Sequence, residues 1–364
     1  MPLIVRGDAF GYDLHPTVEL WLYVTCLVFL VIAMFVRVGE AKEQRVTHRD
    51  TAGVRLAVAI SVVVMGVVVV NHGFRIFHVH KLDSQVHPVL YIVWRLSASF
   101  AFVACFVASR WRISLIPALI LVLTFLAGDR TALGLSLVAA IWSVLARRKV
   151  GVARFARMAV LLLVIGLLLL FGKFIQAAII TNDSLAISQD IIEVGSDFEN
   201  AIRTTEPFVV SGVFSRIVGC ELVAPVEMFV RSFGQMFPWP SAIGFDSAEF
   251  NDYYQPVLFP GMRERSLAYS FWGEGHCYFG NLGMLLFLVI HGCGLVVFSR
   301  MSRSMHASLR VFAYLGGAYW AFYIYRNSLA SILAYERHIA LYFVAWWMAS
   351  GWSVAILTRR RLPS

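Results

Sequence analysis

The chain has 364 residues, 59% of them hydrophobic and 15% charged, with a mean hydropathy of +0.73. These proportions exclude an ordinary soluble domain and place the protein among polytopic membrane proteins. The net charge of +9 does not point to a nucleic-acid partner, because most bases sit in short connections between apolar runs, where they report topology.

The polar stretch Met1–Pro16 lacks a basic start and a small-residue cleavage site, so no removable signal peptide is expected there. A first apolar span runs from about Val18 to Val36 and meets Arg37, Lys42, Arg45, Arg49 and Arg55, a basic connection that belongs on the cytoplasmic side. The amino end is therefore expected outside. A second span, about Leu56–Phe77, leads outward to Lys81, and a third, about Pro88–Ala108, returns to Arg110 and Arg112. Spans four (Ile113–Ala127) and five (Thr131–Ala146) make a hairpin with Gly128, Asp129 and Arg130 at its outer tip and Arg147, Arg148 and Lys149 at its inner end. A sixth span, about Met158–Ile180, delivers the chain to a long excursion.

That excursion, residues 181–276, holds thirteen of the twenty-two acids against five bases, so the remainder of the chain carries +17. Within it, Ser184–Ile202 reads as an acidic helix. Phe208–Phe233 carries an apolar stripe at Phe214, Ile217, Val218, Leu222, Val226, Phe229 and Val230, the pattern of an amphipathic helix lying in the membrane interface. Residues 234–262 read as irregular. Spans seven (Cys277–Phe298), eight (Val311–Tyr325) and nine (Ile339–Leu357) follow, with basic inner connections at Arg300, Arg303 and Arg310 and at Arg359, Arg360 and Arg361. The expected fold is an all-α polytopic membrane protein of nine transmembrane helices, amino end outside and carboxyl end inside. It divides into a six-span bundle (1–180), a periplasmic loop (181–276) and a three-span bundle (277–364).

Once the inner bases are assigned to topology, the outer face is left with arginines: Arg75, Arg130, Arg203, Arg216, Arg231, Arg263, Arg265, Arg326 and Arg337. A planar guanidinium matches phosphate oxygens and keeps its charge when desolvated, so such a set beside a membrane suggests a lipid-linked phosphate or pyrophosphate ligand. The competing reading pairs them with acids of the loop. Glu274 and His276 stand two residues apart in a glycine-punctuated segment before span seven, where either could take a proton from a sugar hydroxyl or simply anchor the entry of the span. Glu274 is the preferred base, since a carboxylate also balances the arginine charge. His72, His78, His80 and His87 lack the spacing of a helical metal pair joined to a carboxylate, and no cofactor or metal is expected. The five cysteines show no C-x-x-C pair.

The stretch Ala127–Gly134, with Arg130 between small residues, resembles the start of a span in O-antigen polymerases and ligases, and Gly273–Gly283 is similar to their segment after the large periplasmic loop. The resemblance spans 120–285. It implies a metal-independent membrane glycosyltransferase, akin to the lipid-dependent C-type (GT-C) enzymes, that joins undecaprenyl-pyrophosphate-linked oligosaccharide repeats at the periplasmic face of the bacterial inner membrane. On that footing Arg130, Arg203, Arg263, Arg265, Arg326 and Arg337 hold the pyrophosphate, Glu274 or His276 is the base, and Tyr278 and Asn281 position the glycan or their own segment. Membrane lipids and a chain-length regulator are the further partners expected. Family members usually have more spans, and the His-Asn typical of ligases is His276-Cys277 here, which favours polymerase over ligase. A lipid-linked oligosaccharide transporter is the non-enzyme alternative.

The topology makes a direct prediction. Reporters fused after Arg148, Arg303 and Arg361 read cytoplasmic and those within 185–260 read periplasmic; a cytoplasmic signal from the loop overturns the orientation.

Overall fold

The computed structural model describes residues 15–35, 48–73, 87–146, 156, 160, 206–245, 250–260, 270–323 and 327–359. Nearly all of the sixth span, the acidic helix Ser184–Ile202, His78, His80 and the arginines Arg75, Arg203, Arg263, Arg265 and Arg326 lie outside them.

The described residues are all-helical, with no strand. The helices are α1 (Pro16–Phe35), α2 (His48–His72), α3 (Pro88–Val107), α4 (Leu115–Leu126), α5 (Arg130–Leu145), α6 (Glu206–Gly219), α7 (Val226–Gly234), α8 (Phe250–Leu258), α9 (Phe271–Met301), α10 (Ala307–Tyr323) and α11 (Leu329–Arg359). Three of them are long and apolar enough to cross a membrane: Thr51–His72 of α2, α3 and α9. By contrast α4 has 12 residues and α5 has 16, about 18 and 24 Å at the rise of an α-helix, short of a hydrocarbon core.

Two compact units interleave along the sequence. One is drawn from Met1–Arg37, Ile192–Val297 and Tyr319–Arg337, the other from Val38–Ile191, Phe298–Ala318 and His338–Ser364. In the second unit α3 is central and is packed by α2, α4 and α5. Its residues from Trp94 to Cys105 are all buried, and the core they share includes Val68, Ala98, Phe102, Leu121 and Ala140. The facing stripe of α5, Ala132, Ser136 and Ala140, repeats a small residue every fourth position, which lets helix backbones approach closely without relying on a hydrophobic drive. The hydroxyls in these apolar helices donate to their own helix's carbonyls, as Ser136 does to Ala132 (2.6 Å) and Thr124 to Ile120 (2.8 Å), so few are left unsatisfied.

Arg95 departs from that local pattern. It lies two turns into α3, 5% exposed, with Nε 3.4 Å from Oδ2 of Asp129, which is 1% exposed. Asp129 is also the N-cap of α5, its Oδ1 accepting from the N–H groups of Thr131 (3.1 Å) and Ala132 (3.3 Å). One carboxylate thus compensates a buried guanidinium and the positive end of a helix.

In the first unit, the single amphipathic helix expected over Phe208–Phe233 is two helices. Pro225 has no N–H to continue a helix and disfavours the helical conformation at Ala224, and Glu221 turns the chain with φ +48°. The stripe divides accordingly. Phe214, Ile217 and Val218 of α6 are buried, whereas Val226 and Val230 of α7 are exposed, together with Phe233, Met236, Phe237 and Trp239 beyond them. This run of exposed apolar side chains is what an interfacial helix presents to lipid. The stretch expected to be irregular contains α8, whose Phe250 and Tyr254 are buried.

The Arg95–Asp129 pair yields a prediction. Arg95→Met strands a buried carboxylate and lowers stability by about 3 kcal/mol in equilibrium unfolding by denaturing detergent. Adding Asp129→Asn removes that charge while keeping an N-cap oxygen, and recovers most of the loss. A double variant no better than Arg95→Met would show that the pair is not what holds α3 to α5.

Candidate functional site

The segment that carries Glu274 and His276 is bent back on itself. Inside α9, Phe279 (φ −142°, ψ 19°) and Gly280 (φ 59°, ψ −141°) leave helical geometry, so the element is a short helix ending at Tyr278 followed by a longer one from Asn281. In a straight helix Gly275 and Gly283 would stand about 12 Å apart. Here a Cβ added to Gly283 would fall 1.8 Å from the carbonyl oxygen of Gly275, and one added to Gly275 would fall 2.7 Å from the carbonyl oxygen of Gly283. The two limbs cross backbone on backbone, which only glycine allows, and Gly280 makes the turn at a φ, ψ pair that L side chains avoid. Phe229, Phe271 and Phe287 fill the space around the crossing, Phe271 and Phe287 with ring centroids 4.5 Å apart and Phe229 and Phe287 at 5.7 Å.

Glu274 is fully buried on the short helix. Its Oε2 accepts from the backbone N–H of Leu329 at 2.7 Å, and its Oε1 accepts from the Tyr278 hydroxyl at 3.2 Å. Leu329 is the first residue of α11, so the carboxyl sits on an orphan donor at the positive end of that helix, where a negative group is favoured. Ser328 completes the cap by accepting from the N–H of Ser331 at 3.0 Å. Both oxygens of Glu274 are therefore occupied within the protein.

His276 lies about 200° around the short helix from Glu274 and so faces away from it. It is half-buried, and its Nδ1 is buried without a hydrogen-bond partner among the described residues. Of the two base candidates it is the one with an acceptor atom not already taken by a hydrogen bond among the described residues. Tyr278 is buried against Phe229 and Phe250 with its hydroxyl on Glu274, an arrangement that positions the acid. Asn281 is exposed just past the turn, its Oδ1 accepting from Trp21 Nε1 at 3.4 Å.

The arginines are distributed differently. Arg337, on α11, donates from Nη1 to the carbonyls of Gln235 (2.9 Å) and Phe237 (3.3 Å), so that nitrogen is committed to the backbone just beyond α7, where unpaired carbonyls collect. Arg130 is the first residue of α5, half-buried beside the Asp129 cap, in the other compact unit. Arg203, Arg263, Arg265 and Arg326 are outside the described residues. Among the histidines, His87 caps α3 by accepting from Val89 N–H at 3.3 Å.

Two charged residues not singled out from the sequence emerge here. Arg95 could have been found as a base inside an otherwise apolar span, the usual mark of an intramembrane ion pair. Glu336, next to Arg337 on α11, has both carboxylate oxygens buried without a hydrogen-bond partner among the described residues. Its basic neighbours Arg337 and His338 are visible in the sequence; that no donor reaches it among the described residues is not.

The crossing and the cap generate one prediction. Gly283→Ala costs about 3 kcal/mol or more in unfolding free energy, because the intruding methyl meets backbone. Glu274→Ala costs about 1–3 kcal/mol by leaving the Leu329 N–H orphaned, and Glu274→Gln costs less than half of that because its amide oxygen still accepts. A Gly283→Ala protein as stable as wild type would refute the crossing.

Comparison with known proteins adds no relative: no family model, curated protein or solved structure matches this chain.

Proposed function

We propose that this chain is a membrane glycosyltransferase of the O-antigen polymerase kind, nine spans with its working face outward, that joins undecaprenyl-pyrophosphate-linked oligosaccharide repeats at the periplasmic side of a bacterial inner membrane. The observation that carries the reading is the glycine-crossed turn of α9, which carries on one side a half-buried imidazole whose Nδ1 has no hydrogen-bond partner among the described residues and anchors Glu274 on the other. In the proposed reaction His276 accepts the proton of an acceptor sugar hydroxyl, the hydroxyl oxygen bonds to the anomeric carbon of the donor, and the bond from that carbon to the pyrophosphate breaks. Charge builds on the departing pyrophosphate, so fixed cations aimed at it contribute most of the rate. Arg130, Arg203, Arg263, Arg265, Arg326 and Arg337 are the proposed cations. Two observations favour His276 over Glu274 as the base: Glu274 is fully buried and both its oxygens already accept hydrogen bonds, so its role is to hold the short helix against the start of α11.

A second reading, a lipid-linked oligosaccharide transporter, is favoured by the buried Arg95–Asp129 pair and by Glu336, which no donor reaches among the described residues, since charges inside a helical bundle often mark a transport path.

Glycan length in membranes separates the readings. Cells without the chain show single repeats on lipid A core if it is a polymerase, a lipid-linked ladder if it is a ligase, and repeats retained inside if it is a transporter. His276→Ala, assayed on purified protein with lipid-linked repeats, lowers chain extension by about 10²–10⁴-fold. Glu274→Gln retains extension within about tenfold once protein amount is matched. Arg130→Lys does not restore what Arg130→Ala loses, since the ammonium lacks the bidentate fork. Full extension by His276→Ala with none by Glu274→Gln would return the base to Glu274.

A further inference from the structure

The second compact unit contains a cavity of about 310 Å³ that the proposed chemistry does not use. Its walls come from the first turns of α2 (Gly53, Val54), the end of α3 (Ala104, Val107, Ala108), the start of α10 and the middle of α11. Trp346 forms its back, pinned by an Nε1–H bond to the carbonyl of Gly53 at 3.1 Å, while Trp347 and Met305 stand 48% and 72% exposed at its edge. Along one side His306, Ala307 and Ser308 bring the amino-terminal turn of α10 to the cavity, and with it N–H groups that a helix leaves unpaired.

We propose that this cavity binds an anionic phospholipid, with the phosphate at the start of α10 and an acyl chain along the tryptophan and alanine walls. Charge is what selects this occupant. No acid is among the residues that line the cavity, and two arginines, Arg110 and Arg310, neighbour lining residues in the sequence. Arg310 falls between His306 and Ala307 on the helical wheel of α10, and its Nε is buried without a hydrogen-bond partner among the described residues. Arg110 lies two residues beyond the lining Ala108 and donates to Thr51 Oγ1 at 3.4 Å, two residues before the lining Gly53, so it bridges the rim between α3 and α2. An apolar slot ending in donors and guanidinium groups matches the two parts of a phospholipid, and a basic pocket between helix ends is a recurrent site for acidic headgroups. The basic-connection rule places this end of the helices in the cytoplasm, so the lipid comes from the inner leaflet, on the side away from the proposed glycan chemistry. The inference stands without the glycosyltransferase reading.

Native mass spectrometry of the purified full chain tests it, with phosphatidylglycerol or phosphatidylethanolamine titrated at equal chain length in one detergent. Phosphatidylglycerol is retained the more strongly, and its retention falls about fivefold for each of Arg310→Gln and Arg110→Ala, with phosphatidylethanolamine unaffected. Trp347→Ala, at an exposed wall position that leaves the fold intact, weakens both lipids. Equal retention of the two lipids by wild type, a preference that survives loss of both arginines, or displacement of phosphatidylglycerol by millimolar inorganic phosphate would each overturn the proposal, the last by showing that a free anion is recognised.

Discussion

Close contact between the backbones at Gly275 and Gly283 is the constraint on which the first compact unit depends. It fixes the angle between the two limbs of α9, and that angle decides where the short helix carries Glu274, His276 and Tyr278. With no side chain at the crossing, packing must come from the flanks, which is why Phe229, Phe271 and Phe287 gather there. A crossing of this kind also narrows the choices at the turn, since the chain can reverse in two residues only through backbone angles such as those of Gly280.

Helix ends in an apolar setting expose the second constraint. Water is scarce there, and each terminus leaves backbone groups that need a partner. This protein meets the need with charged side chains, two of them reaching across sequence, Glu274 to the first N–H of α11 and Arg337 to carbonyls beyond α7, and one local, Asp129 at the opening turn of α5. Two of these three are residues whose type first suggests chemistry. A capping role does not remove a residue from catalysis, but it limits which atoms remain to meet a substrate, and both oxygens of Glu274 already accept hydrogen bonds.

The all-helical character was legible in the amino-acid sequence because apolar runs between basic connections report helices directly. The described helices α1 to α5 and α9 to α11 fall where apolar spans were read. The break between α6 and α7 was missed because the hydrophobic stripe continues in register through Cys220–Pro225, although Pro225 was itself a sufficient warning. The site was only half legible. Glycine spacing in Gly273–Gly283 signalled a close backbone approach, yet nothing in spacing tells that Gly275 meets Gly283 rather than a ligand. Likewise, Glu274 and Arg337 looked available because the partners that occupy them, Leu329 and Gln235, are distant in sequence. Arg95 escaped attention for the opposite reason, since an arginine list drawn from connections passes over one inside a span.

The bond between Glu274 and Leu329 joins residues 55 positions apart, and the acid is the one made first. Ribosomal synthesis therefore delivers a carboxyl group into apolar surroundings well before the amide that will receive it exists. Until α11 emerges, that carboxyl must stay near the aqueous boundary or share a proton with the Tyr278 hydroxyl, and the short helix cannot settle into its final seat. Maturation of this region is thus timed by the arrival of α11, so that a nascent chain stalled before Leu329 carries every residue of the α9 turn without yet holding them in place.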